Sequence, residues 1–255
     1  MASQLTTKDR KGKETKNMKF LIMAAGRGTR ISRHIQDKPK CCIEFEGEAL
    51  IKRTIRVLKN LNLGEVGIVL GYKSDEVLKI IDDLNIKAFY NPFFDVTNSI
   101  ASLWFAREFI STKEDLVILN GDLYLETNLV EHLMEAKKFP VLLSDSSRIE
   151  EADYRFVWQG DILERFGKEI PNHETTGEYV GIGRIGEENI SSFVARMHEM
   201  INSQQSGKWW EDVLFSFVGP EMNIFIKDIK GAFWAELDYI EDFHRVESYL
   251  KDKQR

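Results

Sequence analysis

An apolar run, Phe20-Leu-Ile-Met-Ala-Ala25, leads directly into Gly26-Arg27-Gly28-Thr29-Arg30, and eight residues later comes Pro39-Lys40. The run reads as a buried parallel strand, because such strands are apolar on both faces. Its exit through small residues and two glycines lets the chain turn tightly and present bare backbone N–H groups to an anion. Arg27 and Arg30 add forked, charge-assisted donors, and Pro39 stiffens the return that delivers the Lys40 ammonium. Glycines after a strand also occur in turns that bind nothing. Strand, turn, arginines and Pro-Lys together make a site for a triphosphate. It is not a P-loop, since G-x-x-x-x-G-K-[ST] does not occur.

Downstream the pattern alternates. Apolar residues at Leu50, Ile51, Ile55, Leu58 and Leu61 predict a helix, Val66 to Tyr72 a strand, Asp75 to Leu84 a helix and Ile86 to Tyr90 a strand. Asn98 to Phe109 follows as a helix and Leu116 to Asp122 as a strand. Such alternation predicts an α/β chain with a doubly wound, mostly parallel sheet, Rossmann-like in outline. Right-handed crossovers would set the glycine turn, Tyr72, Asn91 and Asp122 along the carboxyl edge of that sheet, where ligands bind. Phe156 to Trp158, Asp161 to Leu163 and Tyr179 to Gly183 predict a β meander beside it, a small β-rich subdomain. Helices over Glu188 to Ser203, Trp209 to Phe217 and Ile240 to Leu250, and strands over Phe225 to Ile229 and Phe233 to Leu237, complete the expectation.

Residues 1–17 are rich in Lys, Thr and Gln and lack the apolar segment of a signal peptide, so they are expected to be a flexible extension. The rest, 18–255, is expected to be a single domain with a nucleotide-binding half at about 18–125 and an acceptor-binding half at about 126–255. A net charge of -6 provides no basic field for nucleic acid, and no apolar run reaches membrane-spanning length. The only cysteines, Cys41 and Cys42, are adjacent; as strand neighbours they would point to opposite faces, and their lack of other partners fits a reducing cytoplasm. The five histidines show no metal-ligand spacing.

Two carboxylates end predicted strands: Asp122 in Leu119-Asn-Gly-Asp122 and Asp238 in Trp234-Ala-Glu-Leu-Asp238. Either alone reads as a turn or cap residue; together they suit a shared Mg²⁺, a hard ion that takes carboxylate and phosphate oxygen. Lys168, in Phe166-Gly-Lys168, reads by itself as a solvated turn charge. Trp209-Trp210-Glu211-Asp212 reads either as a cation pocket or as a helix start with core tryptophans.

The spacing G-x-G-T-R-x8-P-K resembles the signature of the sugar-phosphate-type nucleotidyltransferases. Tyr90-Asn91-Pro92, Thr97 to Leu103, Gly177-Glu-Tyr179-Val-Gly181 and Trp209 to Asp212 are similar to segments of bacterial CTP-dependent phosphocholine and 2-aminoethylphosphonate cytidylyltransferases, in order from about Met18 to Leu250. That resemblance implies the nucleotidyltransferase fold and transfer of CMP from CTP to a small amine-bearing phosphate or phosphonate. It implies Lys40 and Arg30 as catalytic, and Ala24, Ala25, Gly26, Arg27, Gly28, Thr29, Tyr72 and Asn98 as nucleotide contacts. Mg²⁺ would sit at Asp122 and Asp238; Lys168, Tyr179, Trp210, Glu211 and Asp212 would hold the acceptor, Trp210 walling its cation and Glu211 or Asp212 neutralising it. Where the signature arginine is usually followed by a hydrophobic-Pro-Leu-Thr segment, this chain has Ile31-Ser-Arg33-His34-Ile35, which bears on the acceptor more than on the reaction.

A sugar 1-phosphate acceptor with UTP or dTTP keeps the reaction and changes the substrate. A non-catalytic nucleotide-binding regulator is the reading from another class, disfavoured by the presence of Lys40, Asp122 and Asp238. A Rossmann dehydrogenase is disfavoured because position 31 is Ile where G-x-G-x-x-G needs glycine. The sequence leaves the oligomeric state open and allows a homodimer.

Overall fold

Alternation along the central strand sets the layers. In the computed structural model, which describes residues 6–8, 14–28 and 38–255, the Met18–Ala24 strand turns Phe20, Ile22 and Ala24 to one face of the sheet. There they pack with helices Leu50–Leu61, Ser74–Ile81 and Thr127–Glu135. Leu21 and Met23 point the other way, into helices Ser99–Phe105, Glu187–Asn202 and Glu211–Phe215. The doubly wound arrangement is therefore present.

Met18–Ala24 pairs in parallel with Gly64–Leu70 on one side and Asp115–Asn120 on the other, and Lys87–Tyr90 lies parallel beyond Gly64–Leu70. These four strands put the glycine turn, Tyr72, Asn91 and Gly121-Asp122 at one edge.

The second half corrects the expectation of a mostly parallel sheet with a separate meander. The main sheet is mixed and holds nine strands among the described residues. Gly177–Ile185 runs antiparallel to Asp115–Asn120 through Ile182–Ile185, then bends at Gly181, whose φ is +86°. Val141–Asp145 pairs along its other side, Val141 and Leu142 with Arg184 and Gly183 and, after a register shift, Ser144 and Asp145 with Tyr179 and Glu178, while its leading end also pairs with Arg155–Gln159. Ile162–Gly167 and Phe225–Asp228 close the circuit, giving a small barrel of five strands that shares its longest strand with the sheet.

The helix over Leu50–Leu61 has the predicted bounds and ends at Asn62 in the left-handed conformation. The helix expected from Asn98 to Phe109 is broken at Ala106 into Ser99–Phe105 and Arg107–Ile110, with the Asn98 carboxamide accepting from the Ser99 N–H. A short ladder joins Leu123–Leu125 to Trp234–Glu236, and helix Ile240–Lys253 packs over it through Val246 against Tyr124 and Leu237. Within the segment expected to be an extension, Thr6–Lys8 pairs with Glu14–Lys16. Cys41 and Cys42 are free and buried on a 3₁₀ turn, not on a strand. No helix among the described residues is long and apolar enough to cross a membrane.

Candidate active site

The glycine turn is held from below. The Tyr72 N–H donates to the Ala25 carbonyl at 3.0 Å, an approach possible because a Cβ on Gly71 would lie 2.7 Å from that same oxygen. Gly28 has φ +68°, and a Cβ there would fall 2.7 Å from Lys40 Cδ and Cε. The second glycine of the signature is thus the gap through which the Lys40 stem passes.

Lys40 opens the 3₁₀ turn after Pro39 and is buried. Its ammonium donates to Asp122 Oδ2 at 3.1 Å and to Asp238 Oδ1. Burial alone would lower this ammonium's pKa, but the two carboxylates override it and hold it above its ordinary value. Asp122 reaches the site because Gly121 lets the strand turn against Met23 and Ala24; a Cβ there would sit 2.8 Å from the Met23 oxygen. Asp238 is registered to it by the Leu237 N–H, which donates to the Asp122 carbonyl at 3.0 Å. The two carboxylates converge on one cation. Both supply hard oxygen, the donor type Mg²⁺ takes. No cluster of three or more His, Cys, Asp or Glu suited to a metal occurs among the described residues, so phosphate oxygens and water would complete the shell.

A single cleft of about 410 Å³ runs from this point to an aromatic chamber. The chamber is lined by Tyr154, Lys168, Tyr179, Trp209, Glu211 and Phe215. Burial pushes the Glu211 carboxyl up to about 8, with Asp212 adding to the effect and the Asn120 amide opposing it. Burial, then Asp122 and Asp238, also hold Glu236 well above the carboxylate range. The Tyr179 hydroxyl is buried beside Glu211 and meets no partner at hydrogen-bond geometry among the described residues. Lys168 pairs with Asp153 at 2.7 Å, its ammonium 5.8 Å from the Trp209 ring centre.

Of the residues singled out from sequence, Ala24, Ala25, Gly26, Gly28, Lys40, Asn98, Asp122, Lys168, Tyr179, Glu211 and Asp238 all line this cleft. Thr29 and Arg30 lie outside the described residues, as do Arg33 and His34. Arg27 and Tyr72 do not line the cleft; they meet each other, the guanidinium 5.3 Å from the Tyr72 ring centre. Trp210 and Asp212 do not line the cleft. The Trp210 ring is fully buried, with Nε1 donating to Asn120 Oδ1 at 3.0 Å. The Asp212 carboxylate accepts the Trp209 N–H at 2.8 Å, a turn-closing contact. Of the two tryptophans it is Trp209 that faces the cleft, 37% exposed and packed edge-on to Tyr154 at 5.5 Å. Tyr154, Phe215, Asn120 and Glu236 were not singled out. Phe215 was within reach, since it follows Glu211 by four positions on one helical face.

Residues 20–159 match the family described as the MobA-like NTP transferase domain. The chain belongs to that family. This NTP transferase domain is a nucleotidyltransferase, and two of its relatives match it nearly end to end. A CTP:phosphoglutamine cytidylyltransferase of Campylobacter jejuni is 25% identical over 248 residues, covering 88% of this chain and 97% of the relative. A choline-phosphate cytidylyltransferase of Streptococcus pneumoniae is 21% identical over 241 residues, covering 92% of this chain and all of the relative. The solved structure of the CTP:phosphocholine cytidylyltransferase LicC from Streptococcus pneumoniae superposes with a TM-score of 0.75 at 16% identity, over 92% of this chain and 99% of that one. The fold is accordingly the α/β nucleotidyltransferase fold.

Proposed function

We propose that this transferase moves CMP from CTP, with Mg²⁺, onto the phosphate or phosphonate oxygen of a small amine-bearing acceptor, and releases pyrophosphate. The observation that carries the acceptor class is Glu211, a buried acid facing a chamber walled by Tyr154, Trp209 and Phe215. A carboxyl among aromatic faces suits an ammonium group, primary or quaternary. Two relatives support the nucleotide: the Campylobacter protein is named for CTP and phosphoglutamine, and the Streptococcus protein is a choline-phosphate cytidylyltransferase.

The acceptor oxygen is already ionised, so no general base is needed. It forms a bond to the α-phosphorus as the bond to pyrophosphate breaks. The obstacle is repulsion between anions, met by fixed donors. Backbone N–H groups of the Gly26–Gly28 turn would bind the triphosphate, and Lys40 would meet the charge that builds between acceptor and α-phosphate. Asp122 and Asp238 would hold Mg²⁺, which supplies further charge neutralisation when bound. Lys168 and Tyr179 line the acceptor side and would meet its polar groups.

The test is pyrophosphate release from CTP, UTP, dTTP and ATP with phosphocholine, phosphoethanolamine, 2-aminoethylphosphonate, phosphoglutamine and glucose 1-phosphate. CTP with one of the amine-bearing acceptors should lead. Preference for glucose 1-phosphate with UTP or dTTP would overturn the reading. With the leading acceptor, Glu211→Gln should raise its KM about tenfold to a hundredfold, as expected for a lost charge-assisted contact, and leave the KM of CTP nearly unchanged.

A further inference from the structure

Asn120 ends the Asp115–Asn120 strand two residues before Asp122 and lines the cleft together with Glu211 and Glu236. Its carboxamide makes three hydrogen bonds to groups from two segments, the adjacent Trp210 and Glu211 on one and Glu236 on the other. The Trp210 indole N–H, which can only donate, meets Oδ1 at 3.0 Å. Nδ2 then faces two acids, Glu236 Oε1 at 2.9 Å and Glu211 Oε1 at 3.4 Å. A flipped amide would set its oxygen against both carboxyls and its N–H donors against the indole donor. The Trp210 indole thus fixes the orientation.

Space for this network is built into the neighbouring strand. A Cβ on Gly181 would lie 3.2 Å from Asn120 Nδ2 and 3.6 Å from Glu236 Oε1, and the residue's positive φ favours glycine independently. Trp210 completes the enclosure from the other side, its backbone N–H held by Ser99 Oγ at 2.8 Å. Glu236 is two residues from Asp238 on the segment that ends the Trp234–Glu236 ladder.

We propose that Asn120 is a positioning residue: its carboxamide, held in one orientation by Trp210, ties the acid of the acceptor chamber to the segment that carries Asp238. The distance between the acceptor's cationic group and the reacting phosphate is then set by one amide. This rests on the reading of Glu211 as the acid that meets the acceptor. Asn120→Leu removes the amide with similar volume; Trp210→Phe keeps an aromatic ring in place and removes only the orienting N–H.

Two readouts test this. Carbon-13 NMR of carboxyl-labelled glutamates, with Glu211→Gln assigning the signal, follows Glu211 without any acceptor. In both variants Glu211 should titrate at higher pH than in the unaltered protein, because a donor that favours its ionised form has been lost or freed to turn. Steady-state kinetics with CTP and phosphocholine should show the phosphocholine KM rising on the order of tenfold while the CTP KM stays within about twofold. An unchanged Glu211 titration in a folded variant overturns the proposal, and so does an equal rise of both KM values. If Asn120→Leu does not fold, Trp210→Phe decides alone. If the unaltered protein does not turn over phosphocholine, that bears on the acceptor class, and the titration still decides the role of Asn120.

Discussion

Lys40 Nζ lies 3.1 Å from Asp122 Oδ2 while also donating to Asp238, so the ammonium sits between the two carboxylates that would hold a metal. One cation keeps two like charges together in a partly buried site. On the proposed reading, a triphosphate entering with Mg²⁺ would come within reach of the same lysine. Lys40→Met, which preserves the stem and removes the charge, should lower the chemical rate about a hundredfold, the usual cost of one preorganised donor, and change CTP affinity much less. It should also leave Asp122 and Asp238 without their shared cation. The melting temperature of Lys40→Met should therefore rise with Mg²⁺ more than that of the unaltered protein. Near-normal turnover, or equal Mg²⁺ responses, would remove Lys40 from this role.

Gly28 controls the same lysine from above. An alanine Cβ would overlap the Lys40 stem at Cγ, Cδ and Cε, and the residue would have to adopt φ +68°. Backbone strain and the clash act together, so Gly28→Ala should displace Lys40 from Asp122 and Asp238. The expected outcome is a rate loss close to that of Lys40→Met, with the double variant no worse than either, because both act on one group. Additive losses in single-turnover assays would separate them.

The chamber acid predicts two pH effects. Glu211 holds its proton up to about 8 because burial, with the Asp212 charge adding to it, outweighs its own backbone N–H, the Asn120 donor and the nearby Tyr179 hydroxyl. Phosphocholine carries a quaternary ammonium that does not titrate, and it binds best to the ionised carboxylate. Its apparent affinity should rise with pH until about 8 and then level off, and Glu211→Gln should abolish this dependence. For stability the sign is opposite. The folded-state carboxyl has the higher pKa, so its contribution is complete below the unfolded value near 4.5 and is lost as pH rises through about 8. Denaturant titrations should show the unaltered protein losing stability across that window relative to Glu211→Gln. Parallel pH curves for the two would show that Glu211 is already ionised at neutral pH.

The glycine-turn end of the cleft was legible as a place where residues converge, because those residues are close in sequence. The strand, the glycine pair and Pro39-Lys40 read together, and in the structure the Lys40 stem passes against Gly28, a contact that sequence alone does not name. Asp122 and Asp238 were legible as strand ends, though their meeting depends on the Leu123–Leu125 pairing with Trp234–Glu236, of which only the second strand was expected. The barrel was not legible. Val141–Asp145 follows a proline with only Val-Leu-Leu as its apolar run, too short for periodicity to tell strand from helix. Sharing of Gly177–Ile185 between sheet and barrel is a long-range pairing, and Gly181 alone marks the bend.

The tryptophan pair shows why the acceptor end was harder, and it yields the most discriminating test. Trp209 and Trp210 are chemically identical neighbours, and which one faces the cleft depends on how helix Glu211–Phe215 is entered. The Asp212 carboxylate accepts the Trp209 N–H and Ser99 accepts that of Trp210, and these contacts turn the first ring to the chamber and the second into the core. Trp209 is 37% exposed and Trp210 is not exposed at all. Trp209→Ala should keep the fold, with stability within about 1 kcal/mol, because a surface ring is removed and no cavity forms. It should raise the acceptor KM by removing an aromatic face worth about 0.5–2 kcal/mol to a bound cation. Trp210→Ala should cost about 3–5 kcal/mol of stability through the cavity it leaves, with loss of both substrates' binding. Urea titrations of the two variants beside acceptor and CTP kinetics separate the roles. A strongly destabilised Trp209→Ala with acceptor and CTP affinities falling together would mean that neither ring serves the acceptor.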